Sequence, residues 1–317
     1  MTTTNLNAAA YGGENWTPRK RAHREEIGDL WASCGIESEY APLLQVLLHP
    51  PGPELAQSAD PDAAQLLEIP DWARARRQHD AIAEAYRAAG VAVHYVEPDG
   101  TPSPNLIFCA DLFWMTPEGA ILARPASTVR AGEERWIARR LAALGVPILR
   151  TLRGTATFEG ADALWLDPQT VLLGRGLRTN DEGVRQVSAV LTELGVETVT
   201  VDLPVGTMHL MGILRIVDRD LAIAWPYRLG WRAVEALRER GFRVLFLPDE
   251  AEAARSGALN FVTLGPRQIL MAAGNPKMQA FLETEGVTCH TVPVDELLKA
   301  AGGIGCLTGV VERAREL

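Results

Sequence analysis

Several side chains able to carry out covalent chemistry stand at comparable places in the sequence. Asp111, Glu159 and His209 each begin a predicted β-hairpin, in IFCADLFW, TFEGADAL and TMHLMGIL. Asn260 takes the same place in ALNFVTL, and Cys306 follows the glycines of GGIG near the C-terminus. A cysteine offers a nucleophile, a histidine an acid or base, and two carboxylates can hold a cation. Together they predict covalent catalysis on a positively charged substrate.

The remaining cysteines are assigned no chemistry. Cys34, Cys109 and Cys289 are far apart and lie in apolar surroundings, where cysteine usually behaves as a small buried hydrophobe. No CxxC pair and no histidines at zinc spacing accompany them, which argues against a disulfide framework and a structural zinc site. We therefore expect a reducing, cytoplasmic location and no metal.

A repeated pattern indicates which elements position these residues. An amphipathic helix, a glycine, a bulky apolar residue and a short strand recur five times, about 50 residues apart. Glycine at the end of a helix adopts the left-handed conformation cheaply and turns the chain into the strand. The glycines of the five copies are Gly90, Gly145, Gly195, Gly241 and Gly286.

Most segments between these copies read as β-hairpins, with turns at 116–119, 167–170, 218–220 and 265–268. The first copy is irregular, with one strand at 42–50 and a helix near 71–89, and the C-terminal segment GGIGCLTGVVER could supply its missing strand. We predict an α/β fold of five pseudo-symmetric ββαβ modules closed around a central channel. An ordinary open α/β sheet is the alternative, while a solenoid would need a shorter and stricter repeat.

Composition limits the remaining classes. The chain has 317 residues, is 47% hydrophobic and carries a net charge of −9, which argues against disorder and against nucleic-acid binding through a basic face. No apolar run approaches the roughly 18 residues of a membrane span, and no secretory signal is visible. We predict an N-terminal extension over 1–36, with a solvated helix or arm at 19–26, and a single five-module catalytic domain over 37–317.

Taken in order, the motifs resemble those of the guanidino-group-modifying, or pentein, superfamily, which contains arginine deiminase, dimethylarginine dimethylaminohydrolase and the glycine-type amidinotransferases. FEGAD resembles the family's Glu-Gly-Gly-Asp, GRGLRTN its Gly-x-Ser-x-Arg-Thr-Asn loop, MHL its His-Leu strand and GGIGCLTG its Gly-Gly-x-x-Cys terminus. The resemblance runs from residue 37 to residue 313 and implies a pentein-type α/β propeller. It also implies that Cys306 is the nucleophile and His209 the general acid and base, while Glu159 and Asp111 grip the guanidinium.

The same resemblance assigns the binders of the substrate's α-carboxylate and α-amino groups to Asn105, Arg130 and Arg178. Two positions depart from the deiminase pattern, because Met211 replaces the second carboxylate after the histidine and Ala110 replaces an arginine. A thioether removes a charged acceptor and adds an apolar wall. We therefore expect an N-substituted guanidine to fit better than arginine with two free ω-nitrogens.

The predicted function is a cysteine-dependent hydrolase that cleaves a C–N bond of the guanidino group of an arginine-like, N-substituted amino acid. A covalent thiouronium on Cys306 then yields a ureido product plus amine or ammonia, and no metal or organic cofactor is required. An amidinotransferase that passes the amidino group to an amine is the first alternative, and a non-catalytic propeller binding protein is the remote one. The expected partner is a small guanidino amino acid, not nucleic acid or membrane, and the sequence leaves a homo-oligomer open.

Overall fold

The computed structural model describes residues 5–57 and 59–315, which form five three-stranded sheets. The strands are β1 (Leu43–Leu48), β2 (Ala92–Tyr95), β3 (Phe113–Thr116), β4 (Gly119–Leu122), β5 (Ile148–Thr151), β6 (Ala163–Asp167), β7 (Thr170–Arg175), β8 (Glu197–Asp202), β9 (Leu214–Asp218), β10 (Leu221–Ala224), β11 (Arg243–Phe246), β12 (Val262–Gly265), β13 (Gln268–Ala272), β14 (Thr288–Val292) and β15 (Gly309–Arg313).

Helices connect these strands. The α-helices are α1 (His23–Glu26), α2 (Pro61–Ala64), α3 (Trp72–Ala88), α4 (Glu134–Ala143), α5 (Asp181–Glu193), α6 (Trp231–Glu239), α7 (Glu250–Ser256), α8 (Pro276–Thr284) and α9 (Ile304–Leu307). Short 3₁₀ helices lie at Ala9–Tyr11, Pro53–Ala56, Pro104–Ile107, Cys109–Asp111, Thr128–Arg130, Gly160–Asp162, Leu210–Gly212 and Leu297–Ala300.

Four modules follow one plan: an antiparallel hairpin, a crossover helix, and a third strand parallel to the second hairpin strand. The hairpin turns lie where the sequence predicts them, between β3 and β4, β6 and β7, β9 and β10, and β12 and β13. The middle strands, such as LAIA in β10, are buried on both faces, as strands with a parallel neighbour usually are.

The repeated glycines end the helices as predicted. All five have left-handed φ angles, between +73° at Gly195 and +82° at Gly241. At this position an L-residue would place its Cβ close to the following carbonyl, so glycine avoids strain. The repeat found in the sequence is therefore a repeat of one backbone geometry.

The first module is completed by the other end of the chain. β15 pairs antiparallel with β1, and β2 pairs parallel with β1 on its other side. Contacts between neighbouring sheets run around the molecule, with β15 against β3, β9 against β12, and β12 against β1. The predicted five-module pentein fold, with the C-terminal strand closing the ring, is confirmed.

The apolar core fills the space between the sheets and their outer helices. Among its largest fully buried side chains are Trp165, Tyr86 and Phe158. Trp114 and Trp165 stack across the boundary between β3 and β6, with ring centroids 5.1 Å apart, and the Trp165 indole N–H donates to the carbonyl of Met115. Neighbouring modules are thus joined by aromatic packing as well as by backbone geometry.

The predicted N-terminal extension packs in part on the ring. Ile27, Cys34 and Ile36 are buried in the same core cluster as residues of β3, β4, β6 and β7, and the Gly35 N–H donates to the carbonyl of Val311. The segment 19–26 contains the short helix α1 and is mostly exposed, apart from a buried Glu26. The domain boundary at residue 36 stays a prediction, and residues 1–4 and 316–317 lie outside the described part.

Among the described residues, no helix combines the length and the apolar character needed to cross a lipid bilayer.

The space around Gly160 shows how closely two neighbouring modules pack. A Cβ built there would lie 2.2 Å from the Phe113 carbonyl oxygen and 2.6 Å from that of Ala110, both backbone atoms of the neighbouring module. We expect Gly160→Ala to lower the free energy of unfolding by about 3 kcal/mol, because two modules must separate to admit one methyl group.

The matched control is Gly90→Ala, where a Cβ would have nothing within 4 Å and only the left-handed φ is penalised. That variant should cost about 1 kcal/mol. Urea unfolding monitored by tryptophan fluorescence measures both. Equal losses in the two variants would contradict the close approach described at Gly160.

Candidate active site

The predicted site residues sit on short 3₁₀ turns that precede the first strand of each hairpin. Glu159 caps the turn Gly160–Asp162 before β6, and His209 caps the turn Leu210–Gly212 before β9. Since these turns occupy the same place in successive modules, their side chains point toward one region at one end of the ring. The structure thus places Glu159 next to His209, with Nε2 of the imidazole 2.6 Å from Oε2 of the carboxylate.

Asp111 occupies a different position of its turn. It ends the turn Cys109–Asp111, so Phe108 is the residue equivalent to Glu159 and His209, and Asp162 is the equivalent of Asp111. The alignment of Asp111 with Glu159 is therefore shifted by three residues. Residues three apart eclipse one another on a 3₁₀ helix, which is why Asp111 still faces the same region.

A cavity of about 330 Å³, including space open to solvent, lies at this end of the ring. We call it the first cavity. Its walls include most of the predicted site residues, namely Asn105, Asp111, Arg130, Arg178, His209 and Cys306. Glu159 lies behind this wall, fully buried, and Met211 lines a neighbouring cavity instead.

Arg130 is buried and forms ion pairs with two carboxylates. Its Nη1 lies 2.5 Å from Oδ2 of Asp111 and its Nε lies 2.9 Å from Oε2 of Glu133. The guanidinium also donates to the backbone carbonyl of Asn105, whose side-chain amide is bonded to the carbonyl of Ala64. The other oxygen of Asp111, Oδ1, is buried and has no hydrogen-bond partner among the described residues. Asp111 therefore keeps one acceptor free for a ligand.

Arg178 forms an ion pair with Glu159 in the same way. Its Nη1 lies 3.2 Å and 3.4 Å from the two carboxylate oxygens, and the Ala126 N–H also donates to Oε1. We expect the two carboxylates to bind a guanidinium and the two arginines to bind a carboxylate. In the free enzyme these carboxylates and arginines are therefore paired with each other. Arg178 is the more accessible of the two arginines, with 13% of its side chain exposed against 3% for Arg130.

The buried charges shift the pKa of His209 and Glu159 in opposite directions. Although burial opposes a charged imidazole, the carboxylates of Asp111 and Glu159 raise the pKa of His209 to about 9. Burial also opposes the Glu159 anion, but His209 and the two arginines lower the pKa of its carboxyl group to about 2. At neutral pH, His209 is consequently a cation and ready to donate a proton.

Cys306 lies on α9 beside Asn260. The Asn260 amide donates to Sγ at 3.0 Å, and its carbonyl oxygen accepts from the Cys306 backbone N–H at 3.3 Å. Burial and the Asp111 carboxylate raise the pKa of the thiol, whereas Asn260 and the buried cation of Arg215 act to lower it. The free enzyme therefore holds Cys306 as a thiol, and a cationic ligand is needed to favour the thiolate.

The glycines before Cys306 make room for protein side chains. A Cβ at Gly302 would lie 2.3 Å from the Phe108 ring, and one at Gly305 would lie 1.9 Å from Nη2 of Arg215. The sequence motif suggests close approach to a ligand. The structure shows that these glycines chiefly allow the segment to pack against Phe108 and Arg215.

A metal ion is disfavoured by the charges of the site. Asp111, Glu159 and His209 offer three potential ligand atoms within 4.8 Å of one another. Arg130 and Arg178 already neutralise the two carboxylates, and the protonated His209 cannot ligate. The three residues are better suited to holding a proton than to coordinating a metal ion.

Two residues that organise the site were not assigned a role from the sequence. Asn260 was identified only by its place in the repeat. Asp162 of FEGAD is fully buried, accepts from the Thr179 hydroxyl at 2.6 Å and accepts from the Leu210 backbone N–H at 3.0 Å. It therefore fixes the backbone next to His209. The motif FEGAD contains this signal, because a second acid three residues after Glu159 faces the same side of the turn.

Comparison with known proteins shows what this chain is similar to. A family model described as N,N dimethylarginine dimethylhydrolase, eukaryotic, matches residues 67–312. The dimethylarginine dimethylaminohydrolase of Streptomyces coelicolor is 30% identical over 87% of this chain and 99% of its own. The chain belongs to the dimethylarginine dimethylaminohydrolase family.

Two further comparisons concern the Pseudomonas aeruginosa member of the family. Its sequence is 26% identical over 75% of this chain and 89% of its own. Its structure, a complex with citrulline, superimposes with a TM-score of 0.72 at 23% identity and covers 84% of this chain and 98% of that one. The prediction of a cysteine-dependent hydrolase of guanidino groups in the pentein superfamily is confirmed by this family membership.

The opposite pKa shifts of three buried histidines allow a direct test. Burial lowers the pKa of His49 to about 4 and that of His79 to about 3, whereas His209 is raised to about 9. We expect ¹⁵N NMR of the imidazole rings at pH 8 to show His209 protonated and the other two neutral. In Glu159→Gln the His209 pKa should fall, because one stabilising carboxylate is lost. A neutral His209 at pH 7 in the parent protein would disprove the assignment.

Proposed function

We propose that this enzyme hydrolyses an N-substituted, arginine-like amino acid, with Cys306 as nucleophile and His209 as general acid and base. The observation that carries the proposal is the convergence of Cys306, His209 and the free oxygen of Asp111 on the first cavity. A thiol, a charged imidazole and a carboxylate oxygen without a hydrogen-bond partner match the three needs of the reaction: attack, protonation and cation binding.

Substrate binding would exchange ion pairs. In the free enzyme Arg178 shares with His209 the role of pairing the buried Glu159 carboxylate. An incoming guanidinium can take over this role and interact with Asp111 and Glu159. Arg178 is then released toward the substrate's own α-carboxylate, at the edge of the cavity where it also lines an outer groove. Such an exchange conserves the charge balance of the site.

In the first chemical step the Cys306 sulfur attacks the central guanidino carbon. The bound cation favours the thiolate in place of the thiol, whose proton leaves to solvent, since His209 is already protonated at neutral pH. The S–C bond forms, the C–N bond breaks, and His209 gives its proton to the departing amine. The product of this step is a thiouronium on Cys306.

In the second step water replaces the sulfur. Neutral His209 now accepts one proton from the attacking water, the S–C bond breaks, and a ureido amino acid leaves, while the second proton of the water returns Cys306 to its thiol form. Citrulline, the ligand of the P. aeruginosa relative, is a ureido amino acid of this kind. We infer that Asn260 stabilises the released thiolate, because its amide already donates to Sγ.

Cys306→Ser should abolish turnover of Nω,Nω-dimethylarginine, by about a thousandfold or more, because the hydroxyl is a far weaker nucleophile. Formation of the ureido product without any added amine acceptor measures the activity and separates hydrolysis from amidino transfer. Mass spectrometry of the parent enzyme should trap an adduct on Cys306 equal to the substrate minus the amine.

Cys289→Ser is the matched control, because Cys289 lies on β14 and lines neither the first cavity nor its neighbour. It should retain full activity. If Cys306→Ser also retained activity, the assignment of the nucleophile would be wrong.

The choice of an N-substituted substrate rests on Met211. Its side chain lines the cavity beside His209 and Cys306, where a second carboxylate would favour two free ω-nitrogens. We expect Met211→Asp to raise kcat/KM for arginine relative to dimethylarginine by about tenfold, the value of one charge-assisted hydrogen bond. Met211→Leu conserves an apolar wall and should leave the ratio unchanged. An unchanged ratio in Met211→Asp would contradict this role for Met211.

A cytoplasmic location, expected from the cysteine content, stays a prediction, as does the oligomeric state.

A further inference from the structure

Cys306 and His209 separate two cavities. The first contains Asp111 and the three predicted binders of the amino-acid head group, Asn105, Arg130 and Arg178. The second shares Cys306 and His209 with the first but contains none of those four residues. A substrate whose head group lies in the first cavity therefore places its reacting carbon at the junction.

The geometry of the reaction then directs the leaving amine away from the head group. Cys306 attacks the carbon, and His209 protonates the nitrogen that departs. Since both residues also line the second cavity, any substituent on that nitrogen extends into it.

Apolar side chains form part of the wall of the second cavity. Met208, Met211, Ile213 and Trp225 line it, and its volume is about 550 Å³, including space open to solvent. A methyl group has a volume comparable to that of a water molecule, which occupies roughly 30 Å³ in the liquid. Two methyl groups would therefore fill little of this cavity. The cavity can accept a longer chain.

Besides His209, the second cavity contains one further cation, Arg228. Arg228 lines the second cavity and stacks on Trp225, with the guanidinium carbon 4.4 Å from the ring centroid. It donates to the carbonyl of Gly206, and no ion pair with a carboxylate is found for it within residues 5–57 and 59–315. Trp225 is itself held in place because its indole N–H donates a hydrogen bond to the Glu250 carboxylate. Arg228 is thus a positioned guanidinium with donors available for an anion.

We propose that the second cavity binds the leaving amine of a substrate whose ω-nitrogen carries an alkyl chain ending in a carboxylate. The chain lies along Met208, Met211 and Ile213, and the carboxylate pairs with Arg228. This inference rests on the proposed function and specifies its substrate class. The reaction follows the same two steps. The S–C bond forms, the C–N bond breaks, and His209 protonates the leaving amine, which is here an amino acid. Water then completes the hydrolysis to the ureido product.

The test compares arginine derivatives that carry different substituents on the ω-nitrogen. Nω-alkyl arginines with a terminal carboxylate, on one to four methylene groups, are assayed beside the corresponding primary amides and beside dimethylarginine. At the best chain length, kcat/KM should be about tenfold higher for the carboxylate than for its amide, since a charged acceptor strengthens the bond to Arg228.

Arg228→Gln should reduce the carboxylate-to-amide ratio to about one, because glutamine keeps a donor but loses the charge. Arg238→Gln is the matched control, since Arg238 is exposed and also stacks on a tryptophan, Trp231, but does not line either cavity. That control should leave the ratio unchanged. High salt should lower the ratio in the parent enzyme.

Equal rates for carboxylate and amide at every chain length, or a ratio unaffected by Arg228→Gln, would overturn the inference. Those outcomes leave the proposed function intact if dimethylarginine is still hydrolysed through Cys306. Failure of all substrates, dimethylarginine included, would instead count against the proposed function.

Discussion

The site depends on the mutual neutralisation of charges that are buried together. Asp111 and Glu159 are almost inaccessible, and Arg130, Arg178 and His209 are their ion-pair partners. Leaving any of these carboxylates unpaired in the interior would be costly. The free enzyme therefore resembles the complex in its charge distribution, with a protein guanidinium at the place proposed for the guanidinium of the substrate. Binding becomes an exchange of one cation for another.

The ring supports this arrangement because equivalent turns of successive modules meet at one end. Close packing between modules brings those turns together, with Gly160 against the backbone of the preceding module and Trp165 stacked on Trp114. The chain termini take part as well, because β15 completes the first sheet and α9 presents Cys306 immediately before it. Pairing of the final strand with β1 therefore also helps to position the nucleophile.

The reactivity of the thiol follows from the same balance. Burial and Asp111 hold Cys306 in its neutral form, while Asn260 and Arg215 stand ready to stabilise the anion. Activation is therefore assigned to the substrate's own positive charge. This protects a nucleophilic sulfur from reaction when the site is free of ligand, since thiols react much more slowly than thiolates.

The five modules, the hairpin turns and the closing strand were predictable from the sequence, because each depends on local signals: alternating apolar residues, turn residues and a glycine after each repeated helix. The sequence also indicated Cys306, His209, Asp111 and Glu159 through their places in the repeat and their resemblance to known motifs. How these residues pair is visible only in the folded chain. The three-residue shift of Asp111, the occupation of Glu159 by Arg178, the contact of Asn260 with Cys306 and the separate cavity beside Met211 arise between modules distant in sequence. No local pattern encodes such contacts, because distances between side chains on different modules are set by packing around the whole ring.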